Sequence, residues 1–192
     1  MFESIILIIL IMFIIIYKLK SKSKIILIDT YYVNDLPDAQ EASNTLEKIM
    51  IILNNLVDKI LEDKKNKNSK YIKYVKIIKE RLPYVRISEN PIDSNYTSYS
   101  INKGEELVFC IRDNKKNKIH LMNELLYVAI HEIAHIGCPE IGHGDLFQEI
   151  NLYLLRKAVE YNLYKYIDYS KYNKKYCGML LTSTILNTSE ND

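Results

Sequence analysis

Three of the four histidines in the chain fall within HEIAHIGCPEIGHGDLF, residues 131–147. His131 and His135 are four residues apart. On a helix that spacing sets both imidazoles on one face, a turn apart, where they can grip a single ion. Glu132 lies about 100° further round the axis. It need not bind the ion and can instead reach a water that the ion holds. Zinc lowers the pKa of such a water toward about 7, and a carboxylate completes the deprotonation. The hydroxide then attacks a peptide carbonyl, and Glu132 returns the proton to the leaving amine. These residue types at this spacing predict hydrolysis of peptide bonds, with Glu132 as general base and Zn2+ as the cofactor.

Two histidines do not complete a catalytic zinc site, which takes three protein ligands. His143 is the candidate third, between Gly142 and Gly144, which let the backbone approach a metal closely. Glu140 is the rival for that place. Cys138, still on the helix end, is expected to point into the core. The surrounding segment, LLYVAIHEIAHI, is apolar. Without a metal it would bury two imidazoles and a carboxylate with nothing to offset their desolvation.

Several elements have to position these groups. LMNELLYVAIHEIAHIGC, residues 121–138, reads as a helix with Asn123 near its start and Gly137 near its end. CPEIG turns the chain, and Asp145 is expected to cap a following helix whose Phe147 and Ile150 face inward. Upstream, KIILIDTYYV (24–33) reads as one buried strand. A helix begins near Pro37 with Asp38 as its cap and carries an apolar stripe of Leu46, Ile49, Met50, Leu53, Val57 and Ile60. A charged turn (62–70) leads to a second helix over 71–82, with Tyr71, Tyr74, Val75 and Ile78 as its core stripe. SENPIDSNYTSYS (88–100) is turn-rich, and GEELVFCIR (104–112) reads as a strand. The fold class is α+β, helix-dominated with a small sheet.

MFESIILIILIMFIIIYKLKSKSK opens the chain, apolar or aromatic from Ile5 to Tyr17. It lacks the basic start and small-residue cleavage site of a signal peptide, and no polar face marks it as a core helix. The expectation is an N-terminal transmembrane anchor over 1–20, entering the membrane through residues 4–17, and a single folded domain over 21–192. The lysines at 18, 20, 22 and 24 would put that domain on the cytoplasmic side.

The composition, 48% hydrophobic and 26% charged, is that of a folded protein. A net charge of +2 gives no electrostatic case for a nucleic-acid partner. Three widely spaced cysteines (110, 138, 177) describe neither a disulfide framework nor a cysteine zinc site, and suit a reducing compartment.

HEIAH followed by GHGDLF resembles the WLM and SprT-like metalloprotease group, in which HExxH is followed by a short loop and then by a histidine and an aromatic. The metzincin spacing is not met, since the third histidine comes two residues late. Over roughly residues 94–186 the chain also resembles zincin-like proteins of large DNA viruses, through TSYSINKGEELVFCIR, the HExxH helix and KKYCGMLL. Residues 1–90 carry little of this. The resemblance implies a zincin fold, a protein or peptide substrate, and GEELVFCIR as the edge strand beside the active-site helix. It does not extend to DNA-repair functions, for which no DNA-binding segment is visible. Tyr176 is the first choice for a transition-state stabiliser and Tyr169 the second. Met179 is expected in the core, with a place beneath the zinc as in a Met-turn as the alternative; Cys177 is a minor candidate to bind the zinc, and His120 is taken as surface or structural. The alternative to an enzyme is a zinc-stabilised scaffold or docking domain at a membrane. Glu132 argues against it, because a purely structural site needs no water-activating carboxylate.

Overall fold

A computed structural model describes residues 6–13, 24–113 and 117–182. Helix α1 covers 6–13. The rest forms a five-stranded mixed sheet, four helices and a separate hairpin. The α+β, helix-dominated expectation holds.

The segment expected as one strand is a hairpin. β1 (Ile25–Ile28) and β2 (Tyr31–Asn34) pair antiparallel around a two-residue turn. Asp29 takes φ 54 there, a left-handed region that, after glycine, short polar residues tolerate best. Period-two patterning reads the same through both arms, so only the turn chemistry marks the reversal.

α2 (Ala39–Glu62) buries all six residues of its apolar stripe. It lies against β1, β2 and β3 and packs on the three helices that follow it. Asp38 sits at its N-cap without capping it. The carboxylate instead pairs with Arg112, whose Nε also meets buried Glu89 at 2.5 Å. An inward guanidinium competes for that oxygen and wins. α3 (Ile72–Arg81) buries Val75 and Ile78, with Tyr71 and Tyr74 half-buried, and ends in a 3-10 turn containing Pro83.

β3 (Arg86–Glu89) runs parallel to β2 and to β5 (Glu106–Phe109). The expected edge strand is therefore interior, flanked on both sides. β4 (Tyr99–Ile101), from the turn-rich segment, pairs antiparallel with β5 and forms the edge. Leu107, Val108 and Phe109 are all buried, as suits an interior strand. α4 (Met122–Gly137) packs on α2, α3, β4 and α5 (Asp145–Glu160).

β6 (Lys174–Tyr176) and β7 (Met179–Leu181) form the hairpin. Its turn, Cys177-Gly178, has φ 48 and 83, the left-handed pair that tight hairpins need. Cys177 is disulfide-bonded to Cys110 at the end of β5, across a sequence separation of 67. This corrects the all-thiol reading. Wide spacing conceals a pair that the hairpin brings together. Cys138 is free and buried, as expected. Closing a loop of that length stabilises by about 4 kcal/mol in the chain-entropy picture. Denaturant unfolding with and without a dithiol reductant should show a loss of that order; an unchanged midpoint would contradict it.

The anchor expected over 1–20 is not found. Among the described residues no helix is long and apolar enough to cross a membrane. Residues 1–5 and 14–23, which the expected span also needed, lie outside the described residues. The single-pass placement and the cytoplasmic-side assignment that followed from it are withdrawn.

Candidate metal centre

α4 presents His131 and His135 one turn apart, and the loop after it returns His143 to the same point. One ring nitrogen from each histidine lies within 4.8 Å of the others. His131 Nε2 and His143 Nε2 are 3.0 Å apart. Two ligands about 2.05 Å from one tetrahedral zinc would be separated by roughly 3.3 Å, close to the His131–His143 spacing, and the three histidines together could hold a metal ion. His131 and His135 are half-buried and His143 is exposed. Glu140 is exposed, lines the neighbouring cleft and is not among the converging donors.

Phe147, fully buried on α5, is the floor of this cluster. Its ring stacks on His135 at 4.1 Å and meets His131 and His143 at 4.9 and 4.8 Å. That accounts for an aromatic four residues after the third histidine. Gly142 takes φ 86 with open space around it, so its role is to turn the chain toward His143. Gly144, not Asp145, occupies the N-cap of α5. Gly137 is the last residue of α4 rather than a left-handed stop. A Cβ there would lie 3.0 Å from Ile78 and from the Tyr74 carbonyl, so glycine permits the close approach of α3. Asn123 does not cap α4. It exchanges two hydrogen bonds with the Lys165 backbone, at 2.9 and 2.8 Å.

Glu132 is 4% exposed. Burial pushes its carboxyl up to about 8. Burial first, then the neighbouring imidazoles, pushes His131 down to about 3 and His135 down to about 4. The metal-free site therefore disfavours charge on all three groups. For Glu132 the folded value lies above the ordinary one of 4.5. Its favourable contribution is complete below pH 4.5 and is lost as pH rises toward 8. Chelator-treated Glu132→Gln should accordingly melt above wild type at pH 8.5, with the gap narrowing toward pH 5. A gap independent of pH would contradict this.

The three imidazoles and Glu132 line a cleft of about 920 Å³, together with residues of β4, the loop before it, and the β6–β7 hairpin. Tyr176 lines it and Tyr169 does not; Tyr169 packs on Tyr127 at 5.0 Å. Met179 is half-exposed in the cleft wall instead of in the core. Cys177 is held in the disulfide. His120 is half-buried, with Nδ1 3.4 Å from Glu124 and its ring 4.9 Å from that of Tyr176. Sequence reasoning passed over Ser98, whose Oγ lies 2.9 Å from the Tyr176 hydroxyl and accepts the Cys110 N–H at 3.0 Å. It also passed over Asn151, 1% exposed and 3.4 Å from His131 Nδ1. The available signal was an amide within the apolar stripe of α5, four residues after Phe147.

No family model matches the chain. Two crystal structures of Wss1 from Saccharomyces cerevisiae are similar to it, with TM-scores of 0.46 and 0.47 at 18% and 14% identity, covering 68% and 71% of this chain and 88% and 98% of theirs. Proteins 136R of Invertebrate iridescent virus 6 and 042R of Invertebrate iridescent virus 3 are each 35% identical, over 95 and 82 residues. The matches span 48% and 43% of this chain, and about half of each viral protein. Uncharacterized protein R325 of Acanthamoeba polyphaga mimivirus is 33% identical over 157 residues, 82% of this chain and 79% of that protein. A match of that length reaches well into the first half of the chain, beyond the resemblance expected over 94–186. At this identity and coverage, the chain belongs to the same family as the mimivirus protein R325.

Proposed function

We propose that the protein is a zinc-dependent peptidase, with His131, His135 and His143 holding the metal and Glu132 moving the proton. The observation that carries this reading is the convergence of three imidazole nitrogens at the wall of a large cleft, beside one buried carboxylate. Three donors with one of them exposed leave a position open to the cleft, where a purely structural zinc is enclosed by four. When bound, zinc lowers the pKa of a water toward about 7, polarises a carbonyl and favours the ionised form of a neighbouring carboxylate.

Glu132 takes a proton from the attacking water and passes it to the departing amine nitrogen. Tyr176 is suited to donate to the oxyanion. Burial raises its pKa, so the phenol stays protonated. Ser98 Oγ already accepts from the Cys110 N–H and can turn its own proton toward the Tyr176 oxygen, leaving the Tyr176 O–H free for substrate. The outer side of β4 is unpaired among the described strands, and β4 lines the cleft. An extended peptide can add there through its backbone.

The test is digestion of a denatured protein by the full chain. Cleavage should require zinc, stop on chelation and return on zinc addition. Zinc-replete protein that cuts no member of a broad peptide library would contradict the proposal.

A further inference from the structure

We infer that Asn151 is the positioning residue of the metal centre, fixing the tautomer and aim of His131; this rests on the zinc reading above. Asn151 lies on α5 four residues after Phe147, so the two side chains leave the helix on the same face. Phe147 holds His135 by stacking on it, but meets His131 edge-on, at 72°. The His131 ring also stacks on that of His143, at 30°. Asn151 is the α5 side chain that reaches its Nδ1.

The Asn151 side-chain nitrogen is placed 3.4 Å from His131 Nδ1, and the side-chain oxygen has no hydrogen-bond partner among the described residues. The two ends of an amide have the same shape, and a half-turn exchanges them. Chemistry decides the orientation. His131 Nε2 faces His143 Nε2 at 3.0 Å. A metal held between them requires a lone pair on each. A neutral imidazole carries one proton, so that of His131 sits on Nδ1, facing Asn151. Only the Asn151 oxygen can accept it; the amide nitrogen would set N–H against N–H. A fully buried amide on an apolar helix face otherwise has no reason to be there, since leucine would fill similar space without desolvation cost. An acceptor behind a metal-binding histidine is the arrangement that fixes its tautomer and raises its donor strength.

The experiment compares the full chain with Asn151→Leu and Asn151→Asp. Zinc affinity is read by competition with a chromophoric chelator, and the His131 tautomer by nitrogen-15 NMR of the imidazoles, with and without zinc. Asn151→Leu should weaken zinc binding roughly 10–100-fold. Asn151→Asp, which keeps an oxygen in place, should bind zinc at least as tightly as wild type. In wild type the His131 proton should reside on Nδ1 even before zinc is added. Undiminished affinity in Asn151→Leu, or a wild-type proton on Nε2, would overturn the assignment. The tautomer is read without metal, so it decides the role of Asn151 even if wild type takes up no zinc, a result that would defeat the peptidase reading separately. Should the leucine variant not fold, the aspartate variant and the wild-type tautomer still decide.

Discussion

Glu132→Gln should lower kcat for peptide hydrolysis by roughly 10²–10⁴-fold, the contribution of a positioned general base, while zinc content stays at the wild-type level. Glutamine preserves the shape and a hydrogen-bonding oxygen but cannot accept the proton. The imidazoles that hold the metal are untouched, so metal and activity separate. Folding should not suffer either. The wild-type carboxyl is buried and held up to about 8 in the metal-free site, so the neutral amide relieves a desolvation cost at neutral pH. Steady-state kinetics beside elemental analysis of the same samples checks this. Equal kcat in the two proteins would remove Glu132 from the chemistry.

His143→Ala should cost most of the bound zinc. Structural zinc sites with four ligands bind with about 10–16 kcal/mol, so each ligand accounts for roughly 3 kcal/mol, or at least a hundredfold in affinity. Because His143 is exposed, its removal disturbs little packing, and the loss should appear in metal affinity rather than in melting temperature. Elemental mass spectrometry should find near one zinc per wild-type chain and far less in the variant. Equal zinc in both would transfer the third ligand to Glu140, which also lines the cleft.

The centre of the fold was readable because its periodicities are long. The six-residue stripe of α2 and the paired histidines of α4 each specify a helix face without knowledge of neighbours. Elements set by partners distant in sequence were not readable. β4 is three residues in a turn-rich stretch, and it becomes a strand only because β5 offers an edge. Asp38 looks like a cap until Arg112, 74 residues away, takes its carboxylate. Cys110 and Cys177 look unrelated until the tight turn of the β6–β7 hairpin sets one against the other. At the site, the ligands and Glu132 follow from local spacing, whereas Ser98 and Asn151 act through groups that only the fold brings near. The N-terminal apolar run shows the opposite failure. Composition alone suggested a membrane span, but a span also needs helix length, and no helix among the described residues supplies it.

The most direct test of the central claim is an anomalous difference map at the zinc edge, from crystals of the zinc-loaded full chain. A single peak about 2.0–2.1 Å from one nitrogen each of His131, His135 and His143, with a fourth position facing the cleft, is the predicted result. A well-ordered map with no peak among the three imidazoles, or one only at a distant site, would contradict it.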